Sequence, residues 1–548
     1  MMVATNTLLG HNMAAFNYEW DDFRGGYYVG PSDVNQPKNT WKGANITLSD
    51  DDATLVPTYE PQTRTLSGVS TSGGKISNGA TATTWSDPTY FNGYVVLVGR
   101  TSSAATIYFI NTATNAVQAI GLGAAGTVCG GAPVIVPVNG DLVAYVVIGT
   151  TNIYQITRSS GAVATFLPGA LGVIGITAGL TNLTIWNARM IAWSTSTDYL
   201  VFSEALNFGI NWPALNYITV GYANDGISYC IPRNIDMVVV KPSGWYSITG
   251  VMGANTSVRQ MNDTLGILPV DPAAQHNNAI YFTTSTGSNN YAVNLLAISG
   301  SRVDVAAYQR FGVNDANLRI ARTNMGYLAV VALVEDYPAA KNAVCYLFDP
   351  QERWQVFKIP AVSSYSDAVR FAFARGQVSR YNTTEDQNLY LCEYTNGSSN
   401  TVTLRSLRPN TIEPGKLSAS SAPASATLKL ADISTKTPTI IRRVYVEAEM
   451  MQIPSSPYTG SASIQARVNN KAVGDKPFSQ TIGDVSSNLS IAYTYPYSDF
   501  TSVTNTIYSQ VRVLRFNVDD ATYGYVNEIE LQFSGLRIRR VWVEGDSR

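Results

Sequence analysis

An all-β chain is what the sequence predicts, and three observations carry that reading. Charged residues make up only 14% of the 548 positions, while glycine, serine, threonine, asparagine, tyrosine and valine dominate, the profile of twisted strands joined by tight turns. No stretch of twelve or more residues keeps apolar positions at helical spacing without a proline, a glycine pair or a β-branched run. Short apolar segments recur at a steady interval through the middle of the chain. The length exceeds one ordinary core, so the chain needs several domains or one large repetitive architecture.

The recurring segments are "GYVVLVGR" from Gly93, "LVAYVVIG" from Leu142, "MIAWSTS" from Met190, "MVVVKPS" from Met237, "AIYFTTS" from Ala279, "YLAVVAL" from Tyr327 and "VRFAFAR" from Val369. Their starts lie roughly 42 to 49 residues apart, a propeller-blade period. Strand pairs such as "TIYFINTATNAVQAI" and "NIYQITRSSGAVATF" follow them, so each unit reads as a meander of about four strands. One such sheet cannot bury both faces alone, whereas several packed radially can. The expectation is a β-propeller of about seven blades, with six or eight as alternatives and stacked β-sandwiches as the competing architecture.

In chain order, the expected domains are an N-terminal extended segment over 1–84, the propeller over 85–412, a linker over 413–437 and a C-terminal β-rich, sandwich-like domain over 438–548. The linker reading rests on the small, polar, proline-punctuated run "EPGKLSASSAPASATLKLADISTKTPT". In the last domain, "IIRRVYVEAEM", "SASIQARVNN", "SQVRVLRFNV", "YVNEIELQFSG" and "LRIRRVWVEG" alternate apolar and polar residues, as half-buried strands do. Arg442, Arg443, Arg537, Arg539 and Arg540 fall on the outward faces, as a partner contact or as ordinary solvated positions that discourage edge pairing.

Composition excludes several functions. A formal net charge of −2 with scattered lysine and arginine offers no basic surface for nucleic-acid binding. No apolar run reaches the roughly 18 residues of a membrane span, and the N-terminus lacks a signal-like core, which predicts folding in a cytosol. Cys129, Cys230, Cys345 and Cys392 are widely spaced and mostly within apolar runs, so they are expected as buried free thiols. Only His11 and His276 are available for imidazole chemistry, and no zinc-protease, nucleophile-elbow or P-loop motif occurs. Acidic clusters at Ser49–Asp52, Trp20–Asp22 and Val518–Asp520 are expected as turn formers rather than calcium ligands or a glycosidase pair. The expectation is therefore no catalytic residue, no cofactor and no metal. WD40, kelch and sialidase signatures are absent as well.

One segment remains, "WDDFRGGYYVGPSDVNQPKNTWKGANITL" from Trp20. Its order of an aromatic, acids, Phe-x-Gly-Gly, a polar extended run and Asn-x-Thr-Leu resembles the N-terminus of tail nozzle and hub proteins of short-tailed bacteriophages. "NARMIAWSTSTDYLVFSEALNFGINW" from Asn187, with Ser203 and Glu204, and "IPRNIDMVVVKPSGWYSITG" from Ile231 look like successive blades of such proteins. The pair "RRVYVEAEM" and "LRIRRVWVEG" resembles their closing domain. The likeness in order covers essentially the whole chain, although none of these motifs is diagnostic by itself.

The resemblance implies a structural virion protein of the phage tail, assembled in the host cytoplasm. It implies a ring of about six copies that extends the portal and adaptor channel and meets tail fibres or tail-tip proteins. DNA would pass through during genome ejection without specific binding. Candidate assembly contacts are Trp20, Phe23, Arg24, Gly25, Gly26 and Trp41: the aromatics as interface anchors, the glycines for their backbone freedom. The alternative for the aromatics is that they plug the chain's own propeller rim. The rival functions are a receptor- or carbohydrate-binding propeller at a tail tip and a glycan-degrading enzyme.

Overall fold

A computed structural model describes residues 14–28, 36–49, 54–59, 61–68, 71–77, 84–101, 103–123, 131–175, 177–208, 212–223, 225–250, 252, 255–262, 274–277, 279–285, 293–299, 302–309, 319–336, 340–349, 353–359, 369–376, 388–395, 400–409, 425–450, 462–469, 478–482, 511–518 and 523–547. The only helix among them is Gly169–Val173, and no helix is long and apolar enough to cross a membrane. The chain divides into one unit of residues 1–60, 353–357 and 409–548 and a second of 61–352 and 358–408.

The second unit has a propeller-like β fold. Its described strands form successive antiparallel sheets, beginning with Thr89–Phe91, Tyr94–Arg100, Ala105–Asn111 and Ala116–Gly121. Further sheets open with Val134–Val138, Asn182–Trp186, Tyr229–Pro232, Ala274–His276, Arg319–Arg322 and Val369–Phe373. Neighbouring sheets share cores: Val96 and Phe109 of the first pack with Ala144 and Ile156 of the second, and Val143 and Tyr145 of the second with Ala192 and Val201 of the third. The third joins the fourth through Trp193 and Val239, and the seventh returns to the first through Tyr390, Cys392, Val95 and Tyr108. Burial on both faces explains why the central strands read as unbroken apolar runs.

In the first three sheets a two-residue hairpin links the first strand to the second. Asn92 and Gly93, with φ of 46° and 80°, and Asn139 and Gly140, with 51° and 81°, are both left-handed, as a type I′ turn requires. Asn187 and Ala188 repeat the geometry at 49° and 57°. Alanine is strained there, so Ala188→Gly is expected to raise stability by up to about 1 kcal/mol, read as a higher urea midpoint at unchanged slope.

The chain before the first sheet closes the last one. Gln62–Arg64 pairs with the strand Thr401–Leu407, and Val402 pairs with Ile76. Arg405 and Glu393, both buried, form an ion pair at 2.7 Å, and Arg405 also donates to Thr63 at 3.2 Å.

In the first unit two sheets enclose one core, to which Trp20, Trp41, Ile46, Val444, Ile464, Leu531, Phe533 and Val541 contribute. The long strands Ile433–Met450 and Leu536–Ser547 pair antiparallel, with irregularities between Ile441 and Arg443 and between Glu447 and Ala448. Each double arginine therefore carries a bulge. Ile441 and Val444, and likewise Ile538 and Val541, are all buried despite lying three residues apart, because the extra residue restores the inward phase. The arginines face carboxylates across the strands: Arg442 with Asp546 at 3.2 Å, Arg443 with Glu544 at 3.3 Å, Arg539 with Glu449 at 2.7 Å, and Arg540 with Glu19.

The division differs from the one expected from sequence. Residues 14–28, 36–49 and 54–59 do not stand apart as an extended arm, because Ala14–Trp20 pairs along Leu536–Ser547 and Thr40–Ala44 pairs with Ala426–Leu430. The expected linker over 413–437 contains the strand Ala426–Leu430 and the start of Ile433–Met450. Its small residues hid the alternation, in which Ala426, Leu428 and Leu430 point inward and Thr427 and Lys429 do not.

Candidate functional site

The inner strands of the second unit surround a cavity of about 590 Å³. Thr89, Val134, Asn182–Trp186, Tyr229–Pro232, Ala274, Gln275 and Ile320–Arg322 line it, so six successive sheets present their first strands to the same space. Arg375 and Gly376, just beyond the first strand of the seventh sheet, complete the lining. They pair parallel with Thr89 and Tyr90, and Gly376 packs so closely on the backbone of Thr323 and Asn324 that a side chain would meet it at 2.4 Å. This contact needs glycine.

Charge at the cavity is carried mainly by arginine. Asp87 accepts from Arg375 at 2.8 Å and lies 3.4 Å from Arg370. Burial pushes the Asp87 carboxyl up, but the guanidiniums of Arg375, Arg370 and Arg319 outweigh it and hold the group below the usual carboxylate range. Arg233 makes two bonds of 2.6 Å to Asp236, which also accepts from Ser247 at 2.6 Å. There too burial opposes the charge and the hydrogen bonds from Arg233 and Ser247 prevail, lowering the pKa. Arg322 is half-buried, and burial depresses its pKa. Burial raises the Cys230 thiol well above its ordinary value, which keeps it protonated and a poor nucleophile.

The arrangement is suited to holding a ligand by hydrogen bonds and charge. Among the described residues no cluster of three or more His, Cys, Asp or Glu side chains is placed to hold a metal ion. His276 lies in the strand Ala274–His276, buried, with Nε2 3.1 Å from the Asp349 carbonyl. Cys230 is half-buried and Cys345 and Cys392 are buried, all three free. His11, Cys129, Asp50–Asp52, Asp519 and Asp520 lie outside the described residues.

The residues expected to make assembly contacts sit elsewhere, in the first unit. Trp20, Phe23 and Trp41 are buried in its core and expose no surface of their own. Phe23 to Gly26 is a turn, closed by the Gly26 amide donating to the Phe23 carbonyl at 3.1 Å, with Gly26 at φ 74°. That turn sets Tyr27 parallel to Trp41, their rings edge-on at 5.6 Å. Arg24 is exposed and paired with Asp22 at 2.9 Å; its hydrogen bond lowers the Asp22 pKa. The glycine pair thus serves a local turn, a use that was legible in the same letters.

No protein-family model matches the chain, and no curated protein matches it. Among solved structures it is similar to YCF48 from Cyanidioschyzon merolae, at 12% identity and a TM-score of 0.34, the match covering 61% of this chain and 97% of that one.

The axial cavity was not foreseen from the sequence. Its residues are ordinary strand and turn positions scattered over nearly three hundred residues, and only closure of the sheets brings them together. The available signal was the recurrence of Asn-led turns at Asn92, Asn139, Asn187 and Asn277, each directly after the first strand of its sheet.

Proposed function

We propose that the chain is a structural subunit of a bacteriophage tail, a ring-forming nozzle or hub protein that extends the portal and adaptor channel and conducts DNA during ejection. In this reading the second unit is a seven-bladed propeller and the first a β-sandwich that closes the chain. The observation that carries it is the order along the sequence: a Phe-x-Gly-Gly segment precedes a propeller-like unit, and the β-rich unit that takes in that segment resumes after it. The near-neutral charge of −2 suits a wall past which a polyanion slides without being gripped. With Trp20, Phe23 and Trp41 internal, a ring contact would fall on exposed surface instead.

Light scattering on the purified chain, alone and with a phage portal–adaptor complex, tests the proposal. A species of about six times the 59.2 kDa subunit mass is expected in at least one condition. A monomer or trimer that ignores the adaptor would overturn it and leave the receptor-binding reading in its place.

A further inference from the structure

Leu206 is an unusual residue for its place. It stands in the segment joining Tyr199–Phe202 to Tyr217–Thr219, at φ 60°, a left-handed conformation that glycine and asparagine adopt readily and a bulky apolar residue does not. Its amide donates to the Ala188 carbonyl at 2.7 Å, yet its side chain is 79% exposed. A strained backbone thus holds an aliphatic group out in water, where it packs little against its own fold. Leu215, in the same segment, is also 79% exposed, and Ile235, in the turn before Met237–Lys241, is 82% exposed. The hairpin at Asn187 and Ala188 links them: Ala188 meets Leu206, and the neighbouring Trp186 indole donates to the carbonyl of Arg233, two residues from Ile235, at 3.0 Å. Val163 and Val258, exposed as well, open the outer strands of the second and fourth sheets at this same end.

The outer strands Val163–Phe166, Tyr217–Thr219 and Ser257–Asn262 of the second, third and fourth sheets pair on one side only among the described residues. Open edges in proteins that stay single are commonly guarded by charge, but Arg259 is the only charged residue in these three strands. The first and seventh sheets differ. There the chain covers the outer strand itself, with Ser67–Gly68 on one and Gln62–Arg64 and Lys75–Ser77 on the other.

We infer that the apolar end of the second to fourth sheets, centred on Leu206, Leu215 and Ile235, is where a second copy of this chain docks. The assignment rests on the ring reading and names the contact between neighbours in that ring. A joined apolar patch of this kind marks an interaction surface, and charge selects the occupant. A net charge of −2 on a 59.2 kDa chain puts little repulsion between copies. Strands with a single charge among them offer nothing to steer in a strongly charged partner.

The test is sedimentation of the full-length chain over a range of concentrations, alone and with a phage portal–adaptor complex. Wild type should self-associate, and Leu206→Asn combined with Ile235→Asn should weaken that association by about tenfold or more. Leu206→Asn alone separates contact from fold: asparagine suits the left-handed turn, so the urea midpoint should hold or rise while association falls. Val173→Asn, at a 56% exposed position in the helix that follows the other end of Val163–Phe166, should change nothing. Circular dichroism checks folding; should the double variant fail, the Leu206 variant carries the comparison. An oligomer of some number other than about six, lost in the variants, would support the surface while sinking the ring reading. An oligomer that the folded variants retain would overturn the surface and leave the ring reading standing. A wild-type chain that stays monomeric in every condition, or that uses this surface only to bind the adaptor, would also overturn the assignment.

Discussion

Trp20→Ala is expected to cost about 3 to 5 kcal/mol, a large share of the 5 to 15 kcal/mol that holds a typical domain together. The indole is fully buried in the core of the first unit. Its strand is bonded residue by residue to the far end of the chain, from Ala14 opposite Ser547 to Trp20 opposite Val541. Truncation leaves a cavity among strands that cannot collapse without breaking that register. The expected readout is a lower urea midpoint and faster amide exchange in Leu536–Ser547. Arg24→Ala, four positions on, should leave the midpoint where it was, because its ion pair is solvent-exposed. An unchanged midpoint for Trp20→Ala would mean that the tryptophan is not a core residue, and would return it to the surface role expected from sequence.

Asp87→Asn should be the most damaging polar substitution in the second unit, at about 3 kcal/mol near neutral pH. That is the low end for breaking a buried ion pair, because Arg375 and Arg370 keep some contact with water. The carboxylate is the shared counter-charge of Arg375, Arg370 and Arg319, and asparagine leaves them facing one another. The pH dependence follows from the depressed pKa of Asp87. Such a group contributes stability that is fully present above the unfolded carboxylate value of about 3.9 and is lost as pH falls through the lower folded value. Wild type should therefore lose stability on acidification through that window, and the variant should show a shallower acid limb from a lower neutral plateau. Parallel curves for the two proteins would show that Asp87 does not carry the charge balance.

Much of the strand inventory was legible. Of the seven apolar segments, those beginning at Gly93, Leu142, Met190, Met237, Ala279 and Tyr327 contain the second strand of their sheets, while "VRFAF" is the first strand of its own. The period slips at the end because periodicity reports burial, and in the last sheet both Phe371–Ala374 and Leu389–Tyr394 are buried. The alternating strands of the C-terminal region were legible for the complementary reason, one face buried and one solvated. What hydropathy could not show was partnership. Nothing in "AAFNYEW" names Leu536–Ser547 as its neighbour, and register between segments so far apart is set only once both are folded. The axial cavity illustrates the same limit, since its lining comes from the first strands of six sheets that only the closed fold brings together.

The pairing of Ala14–Trp20 with Leu536–Ser547 also sets a schedule. On the ribosome the first strand emerges about 520 residues before the one that covers it, an interval on the order of a minute at 5 to 20 residues per second. Through that interval its indole and its row of backbone amides have no native neighbour, while the whole intervening unit has the local partners it needs to fold. The first unit is thus finished last, and a prematurely terminated chain carries a complete set of inner sheets but never acquires the surface that a finished first unit presents.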